Sequence, residues 1–178
     1  MQRVVITGAP GAGKTTLLHE LAARGYATVA ESARAIIAAR LAAGLSPRPE
    51  PATFAREILD EDMRKFLEPP HSDGAIFYDR SAVEALAMLH EVSPLADDEL
   101  ESMLSACSFH RTLFVLPPCE AIFVNDAERD QPFAHAVDVH PRIVSWYLRC
   151  GYRVDEVPRL PVSQRADHVL RVLAHDHV

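Results

Sequence analysis

A glycine-rich segment near the start of the chain restricts the possible folds more than any other feature. Residues 8–15 fit the pattern G-x-x-x-x-G-K-[ST]. A short apolar run, Val4–Thr7, precedes the segment, and Leu17, Leu18 and Leu21 follow it at helical spacing. The motif needs a strand before it and a helix after it, and the sequence supplies both. The segment therefore predicts a phosphate-binding loop between a first strand and a first helix.

The residue types in this loop suit a triphosphate. Successive backbone N–H groups can wrap a dense anion only where side chains stay out of the way, which Gly8, Gly11 and Gly13 allow together with positive φ angles. The next helix directs its N-terminus at the phosphates. We expect Lys14 to neutralise the β- and γ-phosphates of ATP and the Thr15 hydroxyl to bind Mg²⁺. The predicted nucleotide-binding residues are Gly8, Ala9, Pro10, Gly11, Ala12, Gly13, Lys14, Thr15 and Thr16.

Short apolar runs alternate with helical patterns along the whole chain. This alternation predicts an α/β fold in which right-handed crossovers connect parallel strands. We expect a single domain over residues 1–178, because no linker, repeat or low-complexity tract interrupts it. The polar stretch 119–139 looks irregular and, with Pro117 and Pro118 before it, predicts a lid at about residues 117–139. The predicted strands are Val4–Thr7, Ala27–Ala30, Ala75–Tyr78, Thr112–Leu116 and Arg153–Val157.

Two charged residues end the third predicted strand, at the sheet edge where α/β proteins place ligands. Asp79 can hold Mg²⁺ through water or accept a proton from an attacking hydroxyl; the alternative is a carboxylate that only flanks the next helix. Arg80 can contact an acceptor or the transferred phosphoryl group, or form a surface ion pair. Ser81 and Glu84 fit a capping box, so a helix should begin just after Arg80.

Glu31 occupies the matching place after the second predicted strand. It can act as a general base or hold an acceptor hydroxyl. The alternative is an acidic residue that simply favours a helix start. Arg34 is a weaker candidate, since arginines are common on helix surfaces.

Two further arginines are candidates on loops. Arg129 lies in the predicted lid and can serve as an arginine finger, with Asp126 orienting it; the alternative is a solvated charge run. Arg165 follows the fifth strand, in a loop that often borders the purine, and is a candidate nucleotide-binding residue.

Composition and missing motifs narrow the function class. A net charge of −7 disfavours nucleic-acid binding, and three widely spaced cysteines exclude a zinc ribbon or a disulfide framework. No signal-peptide pattern or run of about 20 apolar residues is present, so we expect a cytoplasmic protein with no membrane partner. Arg80 stands where mechanical ATPases carry glutamate, and no N-K-x-D string marks a GTPase. The nine histidines lack metal-ligand spacing, so Mg²⁺ is the only metal expected.

These motifs together resemble a known group. The loop is similar to that of P-loop small-molecule and nucleotide kinases, which favour G-x-P-G-x-G-K. The loop together with the motifs along the rest of the chain resembles the AAA-type ATPase/kinase-like domains related to ribosylnicotinamide kinase. This resemblance covers nearly the whole chain. The motifs that carry this resemblance are Glu31-Ser-Ala-Arg34, Asp79-Arg80, Asp126-x-x-Arg129, Gly151-Tyr152 and Val157-Pro158.

The resemblance implies a three-layer α/β/α P-loop NTPase fold, with a five-stranded parallel sheet of order 2-3-1-4-5 and a lid. It also implies Asp79 as a Mg²⁺-site residue or catalytic acid and Arg129 as a lid arginine. We expect an ATP-dependent phosphotransferase that acts on a small hydroxylated molecule such as a nucleoside. The alternative is a nucleotide-dependent switch or accessory ATPase that acts on a protein partner.

Overall fold

The computed structural model describes residues 2–123 and 132–176, and its elements follow the predicted alternation. Each of the five strands lies within two residues of its predicted bounds, which is the usual uncertainty at element ends. The strands are β1 (Gln2–Gly8), β2 (Ala27–Val29), β3 (Ala75–Asp79), β4 (Thr112–Leu116) and β5 (Arg153–Glu156). The helices are α1 (Lys14–Ala23), α2 (Ser32–Ala42), α3 (Pro51–Leu67), α4 (Ala82–Val92), α5 (Asp97–Ala106), α6 (Phe133–Arg149) and α7 (Val162–His175). A 3₁₀ turn covers Glu120–Ile122.

The strands form one sheet in the order β2-β3-β1-β4-β5. β1 pairs in parallel with both β3 and β4, and β4 pairs in parallel with β5. In this register Ile6 lies opposite Asp79, and Gly8 lies opposite Leu116. The end of β3 therefore lies beside the end of β1, where the glycine-rich loop begins.

Internal contacts divide the chain into two compact units. The first comprises Met1–Thr28, His71–Asp79 and Phe109–Val178; the second comprises Val29–Pro70 and Arg80–Ser108. The prediction of a single domain over residues 1–178 stays a prediction.

The core of the first unit is built on the central strands. Consecutive residues of β1 and β4 are buried, rather than alternate ones, as in interior strands of parallel sheets. Helices α1 and α7 contact each other and contribute apolar side chains to this core. These contacts fix where α1 begins, and so where the loop ends. The cluster includes Val4, Ile6, Leu17, Leu21, Phe77, Phe114, Ala166 and Val169.

The second unit is largely helical, with α3 packed against α2 and α4. The proline-rich stretch 44–52 is not loop throughout, because α3 already begins at Pro51. Proline suits the first helical position because it needs no hydrogen bond to its nitrogen. The Glu50 side chain caps the helix by accepting from the backbone N–H groups of Ala52 and Thr53.

Two predicted boundaries are wrong. The stretch 119–139 is not irregular throughout, because α6 begins at Phe133 and continues past Pro141. Buried residues Ala136, Ile143 and Tyr147 stabilise one face of this helix, and that packing outweighs the N–H that Pro141 lacks. Arg165, which was expected on a loop, lies in the first turn of α7, because that helix begins at Val162. The lid at residues 117–139 stays a prediction, and part of it lies outside the described residues.

No helix in the described part of the chain is both long enough and apolar enough to cross a lipid bilayer.

Candidate active site

The glycine-rich loop has the backbone geometry that its sequence requires. Gly8, Gly11 and Gly13 have φ angles of 139°, 76° and 86°, in a region that side chains disfavour. A Cβ on Gly8 would lie 2.4 Å from the backbone oxygen of Leu116 in β4. Glycine is therefore required at this position both by conformation and by the closeness of the neighbouring strand.

The loop ends at an uncapped helix N-terminus. Gly13 occupies the N-cap position of α1 in a left-handed conformation, and the described residues provide no side-chain capping hydrogen bond there. No acidic residue lies in the first turn, and Thr15 and Thr16 are exposed there. The first-turn N–H groups and the positive end of the helix dipole thus face an environment suited to an anion.

The Lys14 side chain folds back over its own loop. Lys14 is 5% exposed. It donates hydrogen bonds to the backbone oxygens of Gly8, at 3.0 Å, and Ala9, at 3.2 Å. From the sequence we expected Lys14 to contact phosphates. In the structure, two backbone carbonyl groups of the loop hold its ammonium group.

Asp79 lies at the same edge of the sheet. It is the last residue of β3, is 8% exposed, and pairs in register with Ile6, two residues before Gly8. The structure thus brings Asp79 and the loop together within the first unit. A carboxylate in this position can hold a hydrated Mg²⁺ ion.

Side chains from two other segments border the loop. A Cβ on Gly13 would lie 3.0 Å from Nη1 of Arg165 and 3.1 Å from Cδ1 of Ile122, and one on Gly11 would lie 2.6 Å from Cδ2 of Phe123. Burial lowers the pKa of the Arg165 guanidinium, and its buried Nε has no hydrogen-bond partner among the described residues. Ile122 and Phe123 were not predicted as site residues; their only signal is the short apolar run 121–124 after β4.

The other candidates form an ion-pair network in the second unit. Arg80 donates from Nε to Oε1 of Glu31 at 3.0 Å and from Nη1 to Glu84. The second oxygen of Glu31 lies 3.4 Å from Nε of Arg34. Since the Arg80, Glu31 and Glu84 side chains are only 21%, 19% and 10% exposed, this network is largely shielded from water.

The backbone of Arg80 is strained. Its φ is 69°, the only positive value at a non-glycine residue in the described ranges. This conformation costs about 1–2 kcal/mol for a residue with a Cβ. The two carboxylate contacts of the guanidinium offset that cost, and the sharp turn takes the chain from β3 into α4.

The serine part of the predicted capping box does not form. Ser81 is the N-cap of α4, as expected, but its side chain makes no capping hydrogen bond. The Glu84 carboxylate pairs with the Arg80 guanidinium, which is a stronger donor than a neutral backbone amide. The sequence analysis therefore missed Glu84 as a candidate site residue, although its spacing of four from Arg80 was a signal.

A second polar cluster lies at the start of α2 and was also missed. Ser32 donates its hydroxyl hydrogen to Asp62, and Lys65 donates to the Ala30 oxygen at 2.8 Å and to Ser32 Oγ at 3.0 Å. Burial raises the pKa of Asp62 to about 6, and the Ser32 hydrogen bond and the Lys65 charge oppose that rise. The available signal was that Lys65 is one of only two lysines in the chain.

Two predicted residues cannot be placed. Arg129 and Asp126 lie outside the described residues. Within the described ranges, no group of three or more His, Cys, Asp or Glu side chains is arranged to hold a metal ion by itself.

Comparison with solved structures identifies the fold. Deoxyadenosine kinase from M. mycoides, with the products dCMP and dCDP bound, superposes with a TM-score of 0.67 at 12% identity, covering 98% of this chain and 100% of that one. Shikimate kinase from Acinetobacter baumannii, in complex with shikimate, gives 0.56 at 12% identity, covering 99% and 94%. The NadR protein in complex with NR gives 0.62 at 15% identity, covering 98% of this chain and 51% of that one.

These likenesses show the P-loop kinase fold: a five-stranded parallel sheet of order 2-3-1-4-5 with helices on both sides. The predicted fold class and strand order are confirmed. No protein of curated function matches the sequence significantly. A family model described as AAA domain matches residues 3–165, which is most of the chain. The chain therefore belongs to the AAA domain family, and its fold is that of the P-loop kinases.

Proposed function

We propose that this protein is an ATP-dependent kinase that phosphorylates a hydroxyl group of a small metabolite such as a nucleoside. The observation that carries the proposal is the glycine-rich loop, which ends at an uncapped helix N-terminus with Lys14 held beside it and Asp79 at the adjacent strand end. The fold supports it, since the similar structures are named as kinases of small molecules.

The residues present fit a magnesium–triphosphate group. The positive φ angles at Gly8, Gly11 and Gly13 give the loop the backbone conformation that a polyphosphate cradle requires. Lys14 would exchange its carbonyl partners for phosphate oxygens, which accept more strongly because they are charged. Thr15 and Asp79 would hold Mg²⁺, which neutralises charge on the phosphates when bound. Arg165, beside Gly13, would add a positive charge at the nucleotide.

We assign the residues that contact the phosphoryl acceptor from their positions after the sheet strands. Arg80 directly follows β3, and Glu31 comes two residues after the end of β2. Sheets of α/β proteins bind their ligands beyond the carboxyl ends of such strands. We assign Glu31 to accept the proton of the acceptor hydroxyl as that oxygen bonds to the γ-phosphorus and ADP departs. Arg80 would orient this carboxylate or contact the phosphoryl group, and Arg129 would supply the lid arginine.

Neither the fold nor the similar structures favour the alternative of a switch or accessory ATPase acting on a protein partner. The proposal includes a cytoplasmic location, a small-molecule acceptor as the principal partner and no nucleic-acid partner. The acceptor itself is to be found by experiment.

The test is ADP release from MgATP in the presence of a panel of nucleosides, hydroxylated acids and sugars. The proposal expects at least one acceptor to raise the rate well above the rate in its absence, with a phosphorylated product detected by mass spectrometry. A rate that no acceptor changes, but that a protein fraction stimulates, would instead favour the alternative.

A further inference from the structure

The backbone on either side of Glu31 is held by one side chain from another helix. Lys65 of α3 donates from Nζ to the Ala30 oxygen at 2.8 Å and to the Ser32 hydroxyl at 3.0 Å. Ala30 and Ser32 are the immediate neighbours of Glu31, which is the N-cap of α2. A single ammonium group therefore bridges the turn from which the Glu31 side chain projects.

The direction of these hydrogen bonds is fixed by chemistry. An ammonium group has donors only, so the Ser32 oxygen must accept from Lys65. The single hydrogen of Ser32 is then left for Asp62, with which Ser32 forms a short contact. This order needs Asp62 as an acceptor, a role that the ionised carboxylate fills with both of its oxygens.

Packing alone does not account for this cluster. Ser32 is 2% exposed, and Asp62 is desolvated enough to raise its pKa to about 6. Two like charges, Glu31 and Glu84, also face Asp62, while Lys65 is the positive charge nearby. A buried ionic group of this kind is often no more stable than an apolar replacement. We infer that the cluster instead fixes the position of the turn that carries Glu31.

The Glu31 carboxylate is fixed independently of its backbone. One of its oxygens accepts from Arg80 and the other lies near Arg34. The side chain is thus oriented by two arginines, while Lys65 holds its main chain. Both restraints are needed to set the position of a carboxylate that must meet a reacting hydroxyl to within a fraction of an ångström.

We propose that Lys65 and Asp62 form a positioning clamp that fixes Glu31 for the acceptor step, with Ser32 as the link between them. The proposal rests on the proposed function, because it assigns the clamp to the acceptor and not to ATP. Neither residue exchanges a proton with the substrate; both act through Glu31. They are therefore positioning residues.

The experiment compares the full-length wild type with Lys65→Met, Lys65→Arg and Arg64→Met, using the acceptor found in the panel. Arg64 is the matched control: it is the adjacent cation on α3, is exposed, and pairs with Glu61 and Glu68. We expect Lys65→Met to lower acceptor kcat/KM about 10-fold or more, since a small misplacement of a reacting group has effects of this order. We expect the KM for ATP to change less than about twofold, Lys65→Arg to recover part of the loss, and Arg64→Met to match the wild type.

A pH profile separates positioning from simple destabilisation. Acceptor kcat/KM of the wild type should fall as the pH drops through about 6, where Asp62 gains a proton. Asp62→Asn should lack that decline near pH 6, because its amide does not titrate. If Lys65→Met unfolds below the assay temperature, Asp62→Asn still tests the proposal.

The outcomes are distinguishable. Unchanged acceptor kcat/KM in Lys65→Met, or an equal loss for ATP and acceptor, overturns the clamp while the proposed function stands. A fall in acceptor kcat/KM near pH 6 that is the same in the wild type and in Asp62→Asn also overturns the clamp. A wild type that no acceptor stimulates overturns the proposed function, and the clamp with it.

Discussion

The Asp62 carboxylate should make the stability of the folded chain depend on pH in a way that one substitution can isolate. Burial raises the pKa of Asp62 from 3.8 to about 6. Between these values the folded state binds a proton that the unfolded chain has released, so the free energy of unfolding falls as the pH rises. Asp62→Asn removes this titration and keeps an oxygen that can accept from Ser32.

The magnitude follows from the two pKa values. Their difference, from 3.8 to about 6, corresponds to about 3 kcal/mol at about 1.4 kcal/mol per pKa unit. Most of this loss occurs between pH 4 and pH 6, and it is complete above that range. Relative to the wild type, Asp62→Asn should therefore gain about 2 kcal/mol of unfolding free energy as the pH is raised from 4 to 6.

Urea unfolding at several pH values measures this difference. The single tryptophan, Trp146, is 8% exposed and provides a fluorescence signal for unfolding. Asp60→Asn is the matched control, because it makes the same change at an exposed position of the same helix. A difference between Asp62→Asn and wild type that stays constant from pH 4 to pH 7 would refute the reasoning, and so would the same trend in the control.

Two other substitutions test the loop and the lid. Gly8→Ala should lower the free energy of unfolding by more than about 2 kcal/mol in urea, since its Cβ would meet the Leu116 oxygen at 2.4 Å. Gly44→Ala is the matched control: its φ is also positive, at 70°, but nothing lies within 4 Å, so only about 1 kcal/mol should be lost. Arg129→Ala should lower turnover more than ATP affinity; equal losses in steady-state kinetics and binding would point to a simple binding role.

Local sequence patterns were sufficient to predict where the strands lie and where the phosphate-binding loop lies. Four of the five strands contain short apolar runs, whereas β5 is largely charged. The loop residues are constrained by backbone conformation, which Gly8 and Gly13 show in their positive φ angles. Such features depend on near neighbours in the sequence and so can be predicted from it. The strand order came from resemblance to a family, because pairing between strands is not a local property.

The side-chain contacts around the candidate site could not be predicted in the same way. Glu84 fitted a capping box by its spacing, but the Arg80 guanidinium competes for its carboxylate in the folded chain. Lys65 lies 34 positions after Glu31 in the sequence, and only the packing of α3 on α2 brings it to the turn. Phe123 meets Gly11 for a similar reason: the contact joins the segment after β4 to the loop after β1.

The most direct test of the central claim is calorimetric titration of the wild type and Lys14→Ala with the magnesium complex of a non-hydrolysable ATP analogue. The account predicts saturable one-to-one binding to the wild type. It predicts affinity at least about 10-fold weaker for Lys14→Ala, since a hydrogen bond to a charged group contributes about 1.5–3 kcal/mol, with the circular dichroism spectrum unchanged. A wild type that does not bind the analogue, or a Lys14→Ala variant that binds it equally well, would contradict the account.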